Sequence, residues 1–206
     1  MQSTWVLGSL DALSEFLASN DAPSISRDSS VVLLPTAAAF IGATQAAIEL
    51  AAPFESREAR TEALMLTDRS SSDEPYFARR VAEADVVVLA DGSALHARSV
   101  WLGSPVGDAI RDAKTLIALG SAASVLGETM IDPRGGAPTT GLGYRKGLVI
   151  TLRESDEQLA RTRALLGDND VLAVLGRSGV LHHDGTSWRV VRGDVVTTRG
   201  EQSVEL

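Results

Sequence analysis

The sequence predicts a three-layer α/β sandwich, in which helices cover both faces of a mostly parallel sheet. Four apolar runs lack alternation of polar and apolar residues, which is typical of strands covered on both faces. They lie at residues 31–35, 63–67, 86–90 and 115–119. Segments of helical character separate them, at residues 37–52, 75–84 and 105–113. Strand and helix therefore alternate, as in βαβ units.

The remaining elements complete this sheet. Residues 5–8 and 147–151 are further candidate strands, and the polar stretch 156–166 ends at Gly167 as a helix does. Turn residues separate four short segments of the tail, which predicts an antiparallel hairpin extension that finishes the sheet. These segments are residues 171–175, 179–183, 188–192 and 194–198. Residues 20–30 and 68–74 fit neither pattern, and we expect solvated loops there.

Composition excludes several classes of function. The 206 residues show no linker, so we expect a single domain over residues 1–206. The chain has no cysteine, which excludes disulfides and thiolate chemistry. A formal charge of −8 disfavours a nucleic acid or an anionic membrane as a partner. No stretch approaches the roughly 20 apolar residues of a membrane helix, so we expect a soluble cytoplasmic protein.

Ser121 is the candidate nucleophile. The apolar run 115–119 is followed by Gly120, Ser121 and further small residues, which predicts a strand that turns sharply into a helix with Ser121 at the bend. A serine hydrolase holds its nucleophile at such a bend, close to the free N–H groups of the helix. Phosphate-binding glycine motifs and a His-x-x-x-His motif are missing, so we expect no cofactor and no metal.

Residues after the preceding strand are candidates for the same site, because ligands of open α/β sheets bind where strands end. Asp91, Gly92 and Ser93 follow the run 86–90. The backbone N–H of Ala122, together with that of Gly92 or Ser93, could form a pair of donors for a developing oxyanion. The alternative is that the glycines only serve tight turns.

A serine nucleophile needs a general base, which is most often histidine. The chain has three histidines. His182 and His183 adjoin an Asp-Gly turn, where we expect solvated hairpin residues. His96 is the candidate base for Ser121, although packing against a helix or capping it is equally open.

The loop after this region is rich in glycine and proline and could cover the site. It runs over residues 130–143 and contains Asp132 and Arg134. Arg134 could bind a substrate carboxylate through two N–H groups. Alternatively, Asp132 and Arg134 pair with each other and fix the loop.

Five segments, taken in order, resemble one family. They are residues 31–38 (VVLLPTAA), 86–92 (VVVLADG), 102–105 (LGSP), 120–124 (GSAAS) and 141–143 (GLG). The set resembles the cyanophycinase and dipeptidase E group of serine peptidases, peptidase S51. That group has the flavodoxin-like, class I glutamine amidotransferase-like fold. The segment 132–136 (DPRGG) resembles an actinobacterial branch of this fold.

The resemblance implies a degenerate catalytic site. It gives Ser121 the place of the nucleophile and gives Gly92 a part in the oxyanion site. Asp91 stands where the family has a glycine, and its negative charge would oppose an anionic transition state. The family histidine is expected at Leu152 or Arg153, and neither side chain can serve as a base.

Three hypotheses of function follow. The first is a pseudoenzyme of this peptidase family, which binds a small peptide, an amide-like ligand or a protein partner without efficient hydrolysis. The second is an active serine hydrolase that cleaves a small peptide or amide with a rearranged base such as His96. The third is a structural subunit whose alanine-rich helix 37–52 packs against a second copy of the chain. The resemblance also implies a homodimer.

Overall fold

The computed structural model describes residues 2–131, 137–153 and 155–206. The strands are β1 (Ser3–Leu7), β2 (Ser30–Leu34), β3 (Arg60–Ala63), β4 (Val86–Leu89), β5 (Thr115–Leu119), β6 (Thr129–Ile131), β7 (Pro138–Thr140), β8 (Val149–Leu152), β9 (Val171–Leu175), β10 (Val180–His183), β11 (Trp188–Arg192), β12 (Val195–Arg199) and β13 (Gln202–Ser203). The helices are α1 (Leu10–Leu17), α2 (Ala43–Glu55), α3 (Arg69–Ser72), α4 (Pro75–Glu83), α5 (Ala94–Trp101), α6 (Pro105–Arg111), α7 (Ser121–Ser124) and α8 (Asp156–Leu165), with a 3₁₀ helix at Thr36–Ala38.

A seven-stranded sheet forms the centre of the molecule, in the order β11-β10-β1-β5-β4-β2-β3. The five strands from β1 to β3 in this order are parallel. The hairpin β10–β11 extends the sheet antiparallel to β1. The predicted fold class, a mostly parallel sheet with a C-terminal antiparallel hairpin, is confirmed.

Both faces of the inner strands β2, β4 and β5 are buried, which explains why these strands read as continuous apolar runs. On β4, Val87 and Leu89 point into a core formed with α4, α5 and α6. The alternate residues Val86 and Val88 point into a second core, formed with α1 and α2. Helices on opposite faces of one sheet give the three layers that the sequence predicts.

The tail differs from its prediction in one respect. Only β10 and β11 extend the main sheet, whereas β9 and β12 belong to a second sheet in the order β13-β12-β9-β8. In that sheet β8 and β9 are parallel. The helix α8 packs on it through Leu159, against Val149, Leu172 and Val174. The turn residues mark the ends of these strands but do not specify their pairing partners.

Some element boundaries also need correction. The strand expected at 63–67 is β3, which ends at Ala63. It is the edge of the sheet and its side chains are polar or partly exposed, so it carries no apolar run. The helix expected at 37–52 is interrupted by a turn around Gly42, whose φ is +123°. The segment 68–74, expected to be a loop, contains the short helix α3.

Two helices that the apolar pattern did not reveal have serine N-caps. Ser9 accepts a hydrogen bond from the N–H of Ala12 at the start of α1. Ser93 accepts one from the N–H of His96 at the start of α5. A serine whose hydroxyl accepts a hydrogen bond from the N–H three residues later is a common sign that a helix begins. None of the helices in the described ranges is long and apolar enough to cross a membrane.

Candidate functional site

The candidate site lies where β4 and β5 end. These strands are parallel neighbours, so the residues that follow them meet at one edge of the sheet. Asp91 follows β4 closely, and its Oδ1 accepts hydrogen bonds from the N–H of Gly92 and the N–H of Ser121, both at 2.7 Å. A carboxylate of the chain therefore binds two N–H groups that converge from neighbouring strand ends.

The sharp bend after β5 is at Gly120, which has φ +53° and ψ −132°. Ser121 is the first residue of the helix α7 that follows. The expectation that Ser121 stands at the bend is thus corrected by one residue. In a nucleophile elbow the nucleophile itself occupies the strained turn position. In this protein Gly120 occupies that position, and it has no side chain.

The space beside Gly120 is filled by the same carboxylate. A Cβ atom at Gly120 would lie 2.1 Å from Cγ of Asp91 and 2.3 Å from each of its two oxygens. Real Cβ atoms do not approach other heavy atoms so closely. The conformation of Asp91 and the absence of a side chain at residue 120 are therefore linked.

The converging donors differ from the pair expected from the sequence. Gly92 contributes its N–H as expected, but the second donor is the N–H of Ser121 and not that of Ala122. The N–H of Ser93 donates to the carbonyl oxygen of Ala37 at 2.7 Å, so it is already used. The shift from Ala122 to Ser121 follows from the position of the bend, because the residue after the bend presents its N–H.

A cleft of about 980 Å³ opens beside these residues. Its lining comes from the ends of β1, β4, β5, β8 and β9 and from one side of α2. The charged lining residues are Glu49, Asp91, Arg153, Arg177 and Asp194. Clefts of this size commonly bind small molecules.

Both positions expected for the family histidine line this cleft. Leu152 is the last residue of β8, and Arg153 follows it. The guanidinium of Arg153 forms an ion pair with Asp194, at 2.7 Å between Nη2 and Oδ1. Neither side chain can accept a proton at neutral pH.

The imidazole of His96 forms a hydrogen bond with another part of the chain. Its Nε2 lies 2.8 Å from the carbonyl oxygen of Thr67. Because a carbonyl oxygen only accepts, Nε2 must carry a hydrogen. The imidazole also contacts the ring of Phe40, at 4.6 Å between centroids. Within the described ranges, no hydrogen bond joins His96 to Ser121, and no residue forms a hydrogen bond with the Ser121 hydroxyl.

The two histidines of the tail are buried, which corrects the expectation that they are solvated. His182 stacks on Trp5 at 3.9 Å between ring centroids, its Nε2 lies 2.9 Å from Oγ of Ser3, and its Nδ1 accepts from Nε of Arg189. Burial, and secondarily the Arg189 charge, lowers the pKa of His182. Burial also lowers the pKa of His183. They pair with the first half of β1, away from the end that borders the cleft.

Two of the expected site residues, Asp132 and Arg134, lie outside the described residues. Among the residues that are described, no group of three or more His, Asp or Glu side chains could hold a metal ion. The contact of Asp91 with the N–H of Ser121 is not among the contacts expected from the sequence. An aspartate after one strand and a glycine at the bend after its neighbour were the signal that could have revealed it.

Comparison with solved structures supports the fold assignment. A peptidase from an acI-B1 Actinobacterium superposes with a TM-score of 0.74 at 18% identity, over 100% of this chain and 97% of the other. A protein from Listeria monocytogenes EGD-e, described as a candidate peptidase E, gives a TM-score of 0.62 at 13% identity, over 97% of this chain and 98% of the other. No family model matches the sequence, and no curated protein matches it.

Proposed function

We propose that this protein is a non-catalytic relative of serine peptidases that binds a small ligand in the cleft beside Asp91. The observation that carries the proposal is the pair of 2.7 Å hydrogen bonds from the N–H groups of Gly92 and Ser121 to the Asp91 carboxylate. In acyl transfer, two such N–H groups stabilise the oxyanion of the transition state. Here an anion of the chain already occupies them.

The charge of Asp91 adds to the effect of this occupancy. A tetrahedral intermediate would bring a second negative charge next to the carboxylate, where the two would repel each other. Even if Asp91 moved away, the donors would have to give up two short hydrogen bonds first. Loss of one oxyanion donor typically costs about 100-fold to 1000-fold in turnover, so loss of both is incompatible with efficient hydrolysis.

The surroundings of Ser121 support the same reading. Gly120 occupies the strained turn position and has no side chain that could act as a nucleophile. Ser121, which carries the hydroxyl, is the next residue. Leu152 and Arg153 supply no base at the cleft. A serine without its base typically loses several orders of magnitude in rate. The position of the hydroxyl and the lack of a base both oppose catalysis.

The cleft itself favours binding. Its volume of about 980 Å³ accommodates a small peptide or an amide-like molecule. The relation to peptidases, inferred from the shared fold and from the sequence resemblance, makes a peptide-like ligand the first class to test. The proposed role is recognition of such a ligand without cleavage.

A serine-reactive fluorophosphonate tests the absence of catalysis. We expect no saturable labelling of the natural protein, and the same background for Ser121→Ala. Serine-dependent labelling that Ser121→Ala abolishes would overturn the proposal. If His96→Gln abolished it as well, the alternative of an active hydrolase with His96 as base would be supported. An unrelated active serine peptidase confirms that the probe is reactive.

Two further proposals rest on the resemblance and the composition. We propose that the protein forms a homodimer, which sedimentation equilibrium tests directly; a monomer at micromolar concentration would contradict it. We also propose a cytoplasmic location, which fractionation of the source cells would test.

A further inference from the structure

We propose that the cleft recognises a protonated amine with an apolar substituent, and that Asp91 binds the ammonium group. This inference rests on the proposed function, since it names the ligand class of the same cleft. The N–H pair that would bind an anion in a peptidase holds a carboxylate in this protein. The site therefore presents a negative group to a ligand. It should prefer a cation, whereas the N–H pair of a peptidase prefers an anion.

The orientation of Asp91 is the first argument. Its Oδ1 is held by two N–H groups at 2.7 Å, so the carboxylate is fixed before a ligand arrives. The side chain is exposed and lines the cleft. Of the residues that the structure describes, none donates a hydrogen bond to its Oδ2. A carboxylate held in place on a cleft wall is a suitable acceptor for an ammonium group.

The distribution of charge in the cleft is the second argument. Its two arginines already have carboxylate partners: Arg153 pairs with Asp194 at 2.7 Å, and Arg177 pairs with Asp11 at 3.2 Å. The carboxylates of Asp91 and Glu49 form no ion pair with any described residue.

Glu49 accepts only a neutral hydrogen bond, from the side-chain amide of Gln45 at 2.9 Å. The cleft therefore carries an excess of negative charge on a chain whose formal charge is −8. Such a field attracts cations.

The apolar part of the lining is the third argument. Five leucine side chains from five different elements line the cleft: Leu10, Leu50, Leu119, Leu152 and Leu175. Ile41 lies in the lining too, and 78% of its surface is exposed. Leu10 and Leu152 are partly exposed and, with Ile41, offer apolar surface to a ligand. Leu50, Leu119 and Leu175 are at most 2% exposed and add little of it. The amine should therefore carry an aliphatic group of modest size.

Protonated amines of this kind come from two sources, the N-terminus of a peptide and a free alkylamine. Isothermal titration calorimetry with leucyl-glycinamide and with isoamylamine distinguishes them, because both carry the same side chain but only the first has a peptide group. N-acetyl-leucyl-glycinamide is the neutral control. We expect binding of one or both amines, and at least about tenfold weaker binding of the acetylated peptide, since hydrogen bonds to charged groups are the stronger ones.

Two variants locate the interaction. Asp91→Asn retains an oxygen for the N–H groups of Gly92 and Ser121 but removes the charge. We expect it to weaken binding of the amines at least about tenfold. Glu49→Gln removes the other unpaired carboxylate of the same cleft, and we expect a smaller loss. Circular dichroism shows that each variant is folded.

The possible outcomes separate the two proposals. Equal binding of the acetylated and free peptides, no binding of either amine, or an equal loss in Asp91→Asn and Glu49→Gln would overturn the role of Asp91 as ammonium acceptor. The proposal of a non-catalytic protein would survive each of these results. Conversely, release of glycinamide from leucyl-glycinamide during the titration would overturn the non-catalytic proposal and leave recognition of the amine intact.

Discussion

A Cβ atom at Gly120 would lie 2.1 Å from Cγ of Asp91, so residues 91 and 120 cannot both carry side chains in this conformation. Residue 120 occupies the strained turn at which an elbow presents its nucleophile. The carboxylate of Asp91 fills the space that a nucleophilic side chain would need. A carboxylate held by two backbone N–H groups therefore stands where a side chain at residue 120 would lie.

This relationship predicts that Gly120→Ala is strongly destabilising. The backbone strain and the overlap with Asp91 should together lower the free energy of unfolding by about 3 kcal/mol or more. Gly200→Ala is the matched control, because Gly200 has φ +56° and no atom lies within 4 Å of its added Cβ. That control should cost about 1–2 kcal/mol. Urea unfolding measures both.

A double-mutant cycle isolates the overlap from the strain. In the background of Asp91→Ala, Gly120→Ala should cost less than it does in the natural protein, because the carboxylate is gone. Equal costs in the two backgrounds would show that Asp91 and Gly120 are not coupled.

A second prediction concerns the N–H groups that Asp91 occupies. Asp91→Ala removes their acceptor, so a small carboxylate such as acetate should take its place. If the Kd for acetate is about 10 mM, 100 mM acetate stabilises this variant by about 1.4 kcal/mol, so we expect its Tm to rise by roughly 3–6 °C.

The natural protein and Asp91→Asn should show no such rise, because an oxygen at residue 91 still accepts both N–H groups. Potassium chloride at equal ionic strength controls for salt. An equal effect of acetate on all three proteins would contradict the prediction.

A third prediction follows from the buried histidines. The pKa values of His182 and His183 are lowered, chiefly by burial. Below about pH 6.5 the unfolded chain binds protons that the folded chain does not, so stability should fall as the pH is lowered from about 7. Thermal unfolding between pH 7.5 and pH 5.5 should show this decline.

Variants assign the decline to the tail. His182→Asn should reduce the slope of Tm against pH, even if it lowers Tm at every pH. Ser121→Ala, which removes no titratable group, serves as the control and should leave the slope unchanged. If His182→Asn had the same slope as the natural protein, the assignment to His182 would be wrong.

A fourth prediction concerns the amino ends of the parallel strands, opposite the ends that border the cleft. Asp85 accepts hydrogen bonds from N–H and Oγ of Ser30 and pairs with Lys114 at 3.1 Å. These contacts, the Ser30 N–H first, lower the pKa of Asp85 to about 2. The resulting stability is present above about pH 4 and should be lost as the pH falls towards 2.

Asp85→Asn should therefore be less stable than the natural protein at pH 7, with the difference shrinking at pH 3. Because the side chain is about half exposed, we expect a modest effect of about 1 kcal/mol at most. Urea unfolding at the two pH values gives the difference. A gap that stays constant with pH would contradict the prediction.

The fold was largely predictable because strands buried on both faces leave continuous apolar runs. Runs such as those of β4 and β5 identify the centre of the sheet directly. The edge strand β3 has polar or exposed residues and therefore no apolar run. For this reason the strand was predicted at residues 63–67, whereas it lies at Arg60–Ala63. The partners of β9 and β12 were not predictable, because a hairpin-like pattern does not say which sheet a strand joins.

By itself, the sequence determined the fold class and the chain segments that form the site, including the aspartate after β4 and the small residues after β5. These are local properties of apolar runs and turn residues. Only the tertiary structure decided that the bend falls on Gly120, that the Asp91 carboxylate occupies the N–H groups of Gly92 and Ser121, and that His96 contacts Thr67. Backbone dihedral angles and contacts between neighbouring strand ends depend on the assembled sheet, and a linear pattern of residue types does not encode them.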